Sequence, residues 1–217
     1  MHYKLIEPAD NYILLDFGNK IEEKTNKYIL AMAECISHEA VLDVIPAYSS
    51  LLIEYDNKKA DADEMMRYLK KIKTGNAVVQ SRLIEIPVVY GGHAGPDLQR
   101  VADVNGLTAE EVVDIHCSRE YRVYMLGFLP GFCYLGGMDE RIACERLDNP
   151  RLKIPAGSVG IAGIQTGIYP EESPGGWNLI GKTDFVFYNI LDEDPFPIKA
   201  GDRVKFVKAA EKDTVTI

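Results

Sequence analysis

Tyr121-Arg-Val-Tyr-Met-Leu-Gly-Phe-Leu-Pro-Gly-Phe-Cys-Tyr-Leu-Gly-Gly137 is the stretch on which the fold turns. Its apolar residues follow no helical period, and its aromatics alternate with glycines too often for a single turn. Downstream, short β-rich runs at Ser158 to Ala162, Asp184 to Asn189 and Arg203 to Val207 are separated by Gly and Pro. Together with Tyr121 to Leu126 they read as strands of a closed or nearly closed β-barrel. Glycine lets a backbone approach a ligand closely while aromatics wall a pocket. A barrel turning tight corners on glycine has the same composition.

Upstream the texture is different. Asn11 to Phe17 reads as a strand, and Ile21 to Ser37 as a helix, because Ile21, Tyr28, Met32 and Ile36 recur on one helical face. Val41 to Ala47 and Ser50 to Tyr55 read as two further strands. A second helix opens at Asp61 with Glu64 three residues on, carries Met65, Leu69 and Ile72 on one stripe, and stops at Gly75-Asn76. With Leu83 to Tyr90 as the next strand, the order β-α-β-β-α-β matches a ferredoxin-like unit, and Tyr3 to Glu7 is a candidate additional strand. Two short helices follow, Asp97 to Asn105 and one from Thr108, whose hydroxyl forms a capping box with Glu111. The expected class is α+β, with an N-terminal α/β domain over 1–82 and a β-barrel domain over 83–217.

The chain has 217 residues, 47% hydrophobic and 26% charged, and a net charge of -9. Eleven basic and 13 acidic residues lie up to Arg82, and 13 and 20 beyond it, so the second part carries most of the negative charge. An acidic chain without a Lys/Arg cluster argues against binding nucleic acid or an anionic membrane. The first residues lack the basic start and apolar run of a signal peptide, and no apolar stretch approaches the ~20 residues that span a bilayer. The expectation is a cytoplasmic protein. Cys35, Cys117, Cys133 and Cys144 show no zinc-ligand spacing and read as free thiols, so no metal site is expected.

Two motifs look catalytic and fail on context. Gly176-Trp-Asn-Leu-Ile-Gly-Lys-Thr183 satisfies the P-loop pattern, but a β-rich run rather than a helix follows it. Ser158 resembles a nucleophile elbow, but Ala156 stands where G-x-S-x-G needs glycine, so a turn hydroxyl is the better reading. His116 falls near the end of the Thr108 helix, where the helix dipole favours its protonated form, and it is a candidate base or a helix cap. Arg151 to Gly157 and Gly163 to Pro170 add Lys153, Gln165 and Tyr169, a cation and polar groups suited to a small carboxylate or carbonyl ligand if they share a concavity. For Lys153, surface solvation competes.

Tyr90-Gly-Gly, Gly95-Pro-Asp-Leu98, Glu120 to Phe132, Tyr134-Leu-Gly-Gly137, Ile154-Pro-Ala-Gly-Ser158, Gln165-Thr-Gly-Ile-Tyr-Pro170 and Ser173-Pro-Gly-Gly-Trp177 together form a signature. It resembles one family: the B subunit of bacterial 5-oxoprolinase, the Kip-type inhibitor of a sporulation histidine kinase, and proteins formerly called allophanate hydrolase subunit 1. The resemblance covers essentially the whole chain. It implies a cyclophilin-like barrel after the N-terminal domain, the larger homologous C subunit and the A subunit of 5-oxoprolinase as partners, and ATP-dependent opening of 5-oxo-L-proline to L-glutamate. It also implies two other roles to weigh: docking on a histidine kinase, or a carboxyl-transfer partnership of the urea-carboxylase type.

For the lactam reaction the resemblance implies a site that binds a carboxylate, shields transferring phosphoryl charge and positions water. By residue type, Arg122 and Lys153 are expected to supply positive charge, with His116 as the third catalytic candidate. Tyr124, Phe128, Pro155, Gln165, Tyr169 and Trp177 are the expected substrate-binding residues, Gln165 and Tyr169 orienting the ring and Phe128 and Trp177 excluding solvent. ATP is expected to be used by the complex.

Overall fold

Alternation decides the N-terminal sheet. In the computed structural model, which describes residues 1–75 and 81–210, Ile13 and Leu15 of β2 (Tyr12–Asp16) point to one face, as do Leu51, Ile53 and Tyr55 of β4 (Ser50–Tyr55), all of them buried. These strands pair with each other and are flanked by β1 (Lys4–Ala9) and β3 (Val41–Pro46), in the order β1-β2-β4-β3, antiparallel throughout. Two helices, α1 (Glu23–Cys35) and α2 (Ala62–Lys71), supply Ile29, Met32, Met65 and Leu69 to the same core. Each of these fully buried side chains contributes about 2 kcal/mol of transfer free energy. Asp61 caps α2 by accepting the Glu64 amide at 2.7 Å, a bond worth about 1 kcal/mol.

Two expectations for this unit need correction. Helix α1 begins after Ile21, which is 49% exposed, and its buried face runs through Asn26, Ile29, Leu30 and Met32. Asn26 is drawn inside because its side-chain amide reaches the carbonyl of Ala47 at 3.3 Å. Second, Leu83–Tyr90 does not close the β-α-β-β-α-β order. The edge beside β2 is taken by β1, with Leu5 opposite Leu15, and Leu83–Tyr90 becomes a barrel strand, β5. The chain accordingly divides into compact units at Met1–Gln80 and Ser81–Ile217.

The second unit opens with β5, followed by α3 (Leu98–Asn105) and α4 (Ala109–Cys117). The Thr108 capping box forms in both directions: Thr108 accepts the Glu111 amide at 3.2 Å and Glu111 accepts the Thr108 amide at 2.8 Å. The remaining strands are β6 (Glu120–Leu126), β7 (Cys133–Gly136), β8 (Arg151–Ile154), β9 (Ser158–Ala162), β10 (Gln165–Ile168), β11 (Ser173–Gly175), β12 (Asn178–Lys182) and β13 (Arg203–Lys208), with a short 3₁₀ turn at Glu140–Ile142. Six of them close a seven-stranded barrel with β5, in the order β10-β7-β6-β13-β5-β12-β9, while β8 and β11 form a separate ribbon. Within the barrel only β13 and β5 run parallel. Its interior holds Ile86, Val88, Tyr121, Val123, Leu135, Ile161, Val204 and Phe206.

Asp184 to Asn189 is not a strand. Phe185 and Phe187 both pack against the barrel core while Val186 is exposed, so burial alternates without a partner strand to cause it. The segment is instead organised locally, the Thr183 hydroxyl accepting the Phe185 amide at 3.1 Å and the Asn189 amide reaching Pro195. The architecture as a whole is a mixed α+β fold with four helices and one closed seven-stranded barrel among the described residues.

Candidate functional site

The side chains of the Tyr121 to Gly137 stretch divide between two apolar clusters. Tyr121 and Val123 face into the barrel, and Phe132 joins a second apolar cluster with Ile154, Tyr169, Trp177 and Leu179. Phe132 is the hub of that cluster. Its ring meets Phe128 at 5.6 Å, Tyr134 at 4.9 Å, Tyr169 at 5.4 Å and Trp177 at 5.7 Å between centroids. Three of these contacts are edge-to-face, the geometry in which ring quadrupoles attract. Glycines permit the packing: a Cβ on Gly167 would come within 3.0 Å of the Trp177 ring, and one on Gly175 within 2.4 Å of the Tyr169 hydroxyl.

Above this hub lies a pocket of about 300 Å³ lined by Phe128, Phe132, Tyr134, Tyr169, Trp177 and Arg146, with Pro150 and the Pro174–Gly176 turn completing it. Phe128 takes φ +70, a left-handed conformation found in no other non-glycine residue among those described, and it is 63% exposed. A bulky side chain held there costs about 1 kcal/mol or more, a strain characteristic of ligand-binding positions. Burial pushes the Tyr169 hydroxyl above its ordinary value, against a hydrogen bond from the Trp177 backbone and the charge of Arg146. It is therefore a neutral donor at physiological pH. The Arg146 guanidinium carbon stands 6.0 Å from the Trp177 ring centroid, within cation–π range.

Of the residues singled out in the sequence, Phe128, Tyr169 and Trp177 meet in this pocket. The others lie elsewhere. Lys153 is an exposed side chain 3.1 Å from Glu172, the solvated role. Arg122 is 6% exposed, stands 6.0 Å from the Tyr124 ring and donates to the Gly201 carbonyl at 3.5 Å. Tyr124 is itself buried, packed so tightly against Gly136 that a Cβ there would come within 2.4 Å. Pro155 sits in the exposed turn between β8 and β9, and Gln165 pairs with Ala162 at the β9–β10 hairpin.

His116 is sealed in the barrel core, with Nδ1 2.8 Å from the Tyr90 hydroxyl and Nε2 3.0 Å from Thr166 Oγ1. The helix dipole expected to favour its protonation is outweighed: burial lowers its pKa to about 3.

Both decoy motifs resolve as structure. Residues Asn178–Lys182 of the apparent P-loop are β12, paired with β5 and β9, and a Cβ on Gly181 would lie 2.6 Å from Val88. No helix N-terminus follows, so the segment offers no phosphate cradle. The Ser158 hydroxyl donates to the Pro155 carbonyl at 2.7 Å, a turn contact. The four cysteines are free, and burial raises the Cys133 thiol to about 12. Among the described residues no helix is long and apolar enough to cross a membrane.

Arg146 was not apparent in the sequence, because Glu145 to Pro150 has neither period nor alternation. What places it is non-local. The Leu147 amide donates to the Gly176 carbonyl at 2.8 Å, and the Asn178 side-chain amide donates to the Glu145 carbonyl at 2.9 Å. Phe132 and Tyr134 lay within the quoted stretch, and only the closing of the barrel shows that they share a face with Trp177.

Residues 4–198 match the family model described as carboxyltransferase domain, subdomain C and D. The chain is 42% identical to the 5-oxoprolinase B subunit of Bacillus subtilis (strain 168), over 98% of this chain and 95% of that protein. It is 39% identical to the 5-oxoprolinase B subunit of Escherichia coli O157:H7, over 94% of each. The crystal structure of TTHA0988 superposes with a TM-score of 0.84 at 39% identity, covering 94% of this chain. This chain spans 41% of that longer one.

Proposed function

The chain belongs to the family of 5-oxoprolinase B subunits, within the carboxyltransferase domain, subdomain C and D, and on that premise we propose that it is one component of an ATP-dependent 5-oxoprolinase. Its task is to hold 5-oxo-L-proline while the assembly, with the larger homologous C subunit and the A subunit, opens the ring to L-glutamate. The convergence of Phe128, Phe132, Tyr134, Tyr169 and Trp177 on one pocket of about 300 Å³ carries the reading. We read unit 1–80 as ferredoxin-like, with β1 in the place of the usual last strand, and unit 81–217 as cyclophilin-like.

A lactam resists hydrolysis because its nitrogen donates electron density into the carbonyl, so the reaction needs an activated carbonyl oxygen in a site closed to bulk water. The aromatic faces supply the closed wall for a small ring, and the neutral Tyr169 hydroxyl supplies a donor. ATP is consumed by the complex, and the P-loop-like segment, being strand β12, supplies no phosphate cradle for it.

The test is co-expression with the C and A subunits, followed by measurement of ATP-dependent glutamate release from 5-oxo-L-proline. Wild-type assembly should turn over, and Trp177→Ala should lower kcat/KM by about 10-fold or more, the cost of removing an aromatic wall. An inactive wild-type assembly would sink the reading.

A further inference from the structure

Among the described residues Arg146 is the one cation in the pocket lining, and it differs from the next cations along the chain in what it is paired with. Arg151 is 2.7 Å from Asp97, and Lys153 is 3.1 Å from Glu172. Arg146 lies over Trp177, and among the described residues no carboxylate pairs with it. In a chain with 33 acidic against 24 basic residues, partners for an exposed cation are plentiful, so an unpaired guanidinium on the rim of a pocket calls for an explanation.

The backbone on both sides of Arg146 is fastened to the pocket. The carbonyl of Glu145 accepts from Asn178 Nδ2 and the amide of Leu147 donates to Gly176. Asn178 is fully buried, and its remaining capacity is used as well, Nδ2 reaching the Ile161 carbonyl at 3.1 Å and Oδ1 accepting from Arg100 at 3.0 Å. Gly176 is itself part of the pocket lining. The loop that carries Arg146 is therefore fastened to a lining residue and to the buried Asn178 two residues on, which is how a recognition group is pre-organised. At 6.0 Å from the Trp177 ring centroid and with no carboxylate partner among the described residues, the guanidinium keeps its N–H edge free for two parallel hydrogen bonds to a ligand carboxylate.

We infer that Arg146 is the receptor for the ligand's carboxylate, so that the pocket selects acidic lactams over neutral ones of the same ring size. This rests on the aromatic pocket being the lactam site. Arg146 is a specificity-determining residue in this assignment, and Asn178 positions it.

Trp177 is the only tryptophan in the chain, so its emission reports on this pocket directly. The full chain is titrated with 5-oxo-L-proline and with 2-pyrrolidinone, which has the same ring without the carboxylate. In parallel, KM for 5-oxo-L-proline is measured in the assembled complex. Wild type should bind the acid about 10- to 100-fold more tightly than the neutral lactam, the span expected of a bidentate charged contact. Arg146→Ala should remove that preference, leaving 2-pyrrolidinone binding unchanged, and should raise KM by a similar factor. Arg146→Lys should recover part of it. The Arg146 side chain is exposed, so these variants should keep the fold, and matched urea midpoints verify it.

Equal affinity for the acid in wild type and Arg146→Ala, or an unchanged KM, overturns the assignment while leaving the pocket intact. If neither compound perturbs Trp177 in the wild-type chain and Trp177→Ala leaves KM unchanged in an active complex, the pocket reading fails, and the assignment with it.

Discussion

The hydroxyl of Tyr90 and Nδ1 of His116 meet at 2.8 Å inside the barrel, and the direction of that bond follows from its neighbours. Thr166 donates its hydroxyl to the Gly160 carbonyl at 3.0 Å, so it accepts from His116 Nε2–H. Nδ1 is then the acceptor for Tyr90, which in turn accepts from Cys117 Sγ at 3.5 Å. The imidazole is thus a fully bonded neutral ring, stacked on Phe206 at 4.4 Å.

A pH dependence follows. Unfolded histidine titrates near pH 6.5, whereas burial lowers folded His116 to about 3. Between those values the unfolded chain binds a proton that the folded chain does not. Stability should therefore fall on acidification, beginning near pH 6.5, by about 1.4 kcal/mol per pH unit from this residue. Urea midpoints at pH 7.5, 6.0 and 5.0 should show that slope in wild type, and His116→Gln should lack it.

Asp202 is 2% exposed and accepts three hydrogen bonds from Arg82, through its amide, Nε and Nη2, and one from the Lys199 amide. Burial alone would raise its pKa, and these bonds outweigh it, holding Asp202 below the ordinary carboxylate value. Breaking a buried pair costs about 3–5 kcal/mol, but Arg82 is half exposed and is re-solvated when released. Asp202→Ala should lose about 2–3 kcal/mol in chemical denaturation.

Gly175 and Gly176 provide a matched pair. A Cβ at Gly175 would come within 2.4 Å of the Tyr169 hydroxyl and 2.8 Å of Ile154, whereas one at Gly176 meets nothing closer than 3.6 Å. Gly175→Ala should cost about 1–3 kcal/mol through overpacking and raise KM in the assembled enzyme. Gly176→Ala should change stability by less than about 1 kcal/mol. Thermal unfolding and KM measured side by side check both.

Phe128 holds its ring on the pocket rim at φ +70. Phe128→Gly relieves about 1 kcal/mol of backbone strain and loses a similar amount to unfolded-chain entropy, so stability should be nearly unchanged. KM for 5-oxo-L-proline should rise, because the ring has gone from the wall. A large loss of stability with KM unaffected would instead make Phe128 a packing residue.

Local patterns were readable where one element set them. The Thr108 box, the Asp61 cap and the strand at Ser158 to Ala162 needed no distant partner. Errors arose where a local pattern had a non-local cause. Phe185 and Phe187 alternate in burial because they pack on a barrel formed by other residues. Leu83 to Tyr90 follows a helix in sequence yet pairs with strands far along the chain. In the site, aromatic density pointed to Phe128, Tyr169 and Trp177, while charge alone could not separate Lys153, which is ion-paired, from Arg146. For Arg122, strand alternation offered a signal, since it opposes the core residues Tyr121 and Val123.

The parallel seam between β5 and β13 also sets the order of assembly. It joins the first and last strands of the barrel, Leu83 beside Arg203, and is locked by Arg82 and Asp202, 120 residues apart. Chain closure over such a span is slow, and it has to wait until Lys208 has left the ribosome. Unit 1–80, whose sheet is complete by Tyr55, has no such wait. During synthesis it can be folded while the incomplete barrel still exposes strand edges, so that nascent barrel is the species most in need of a chaperone.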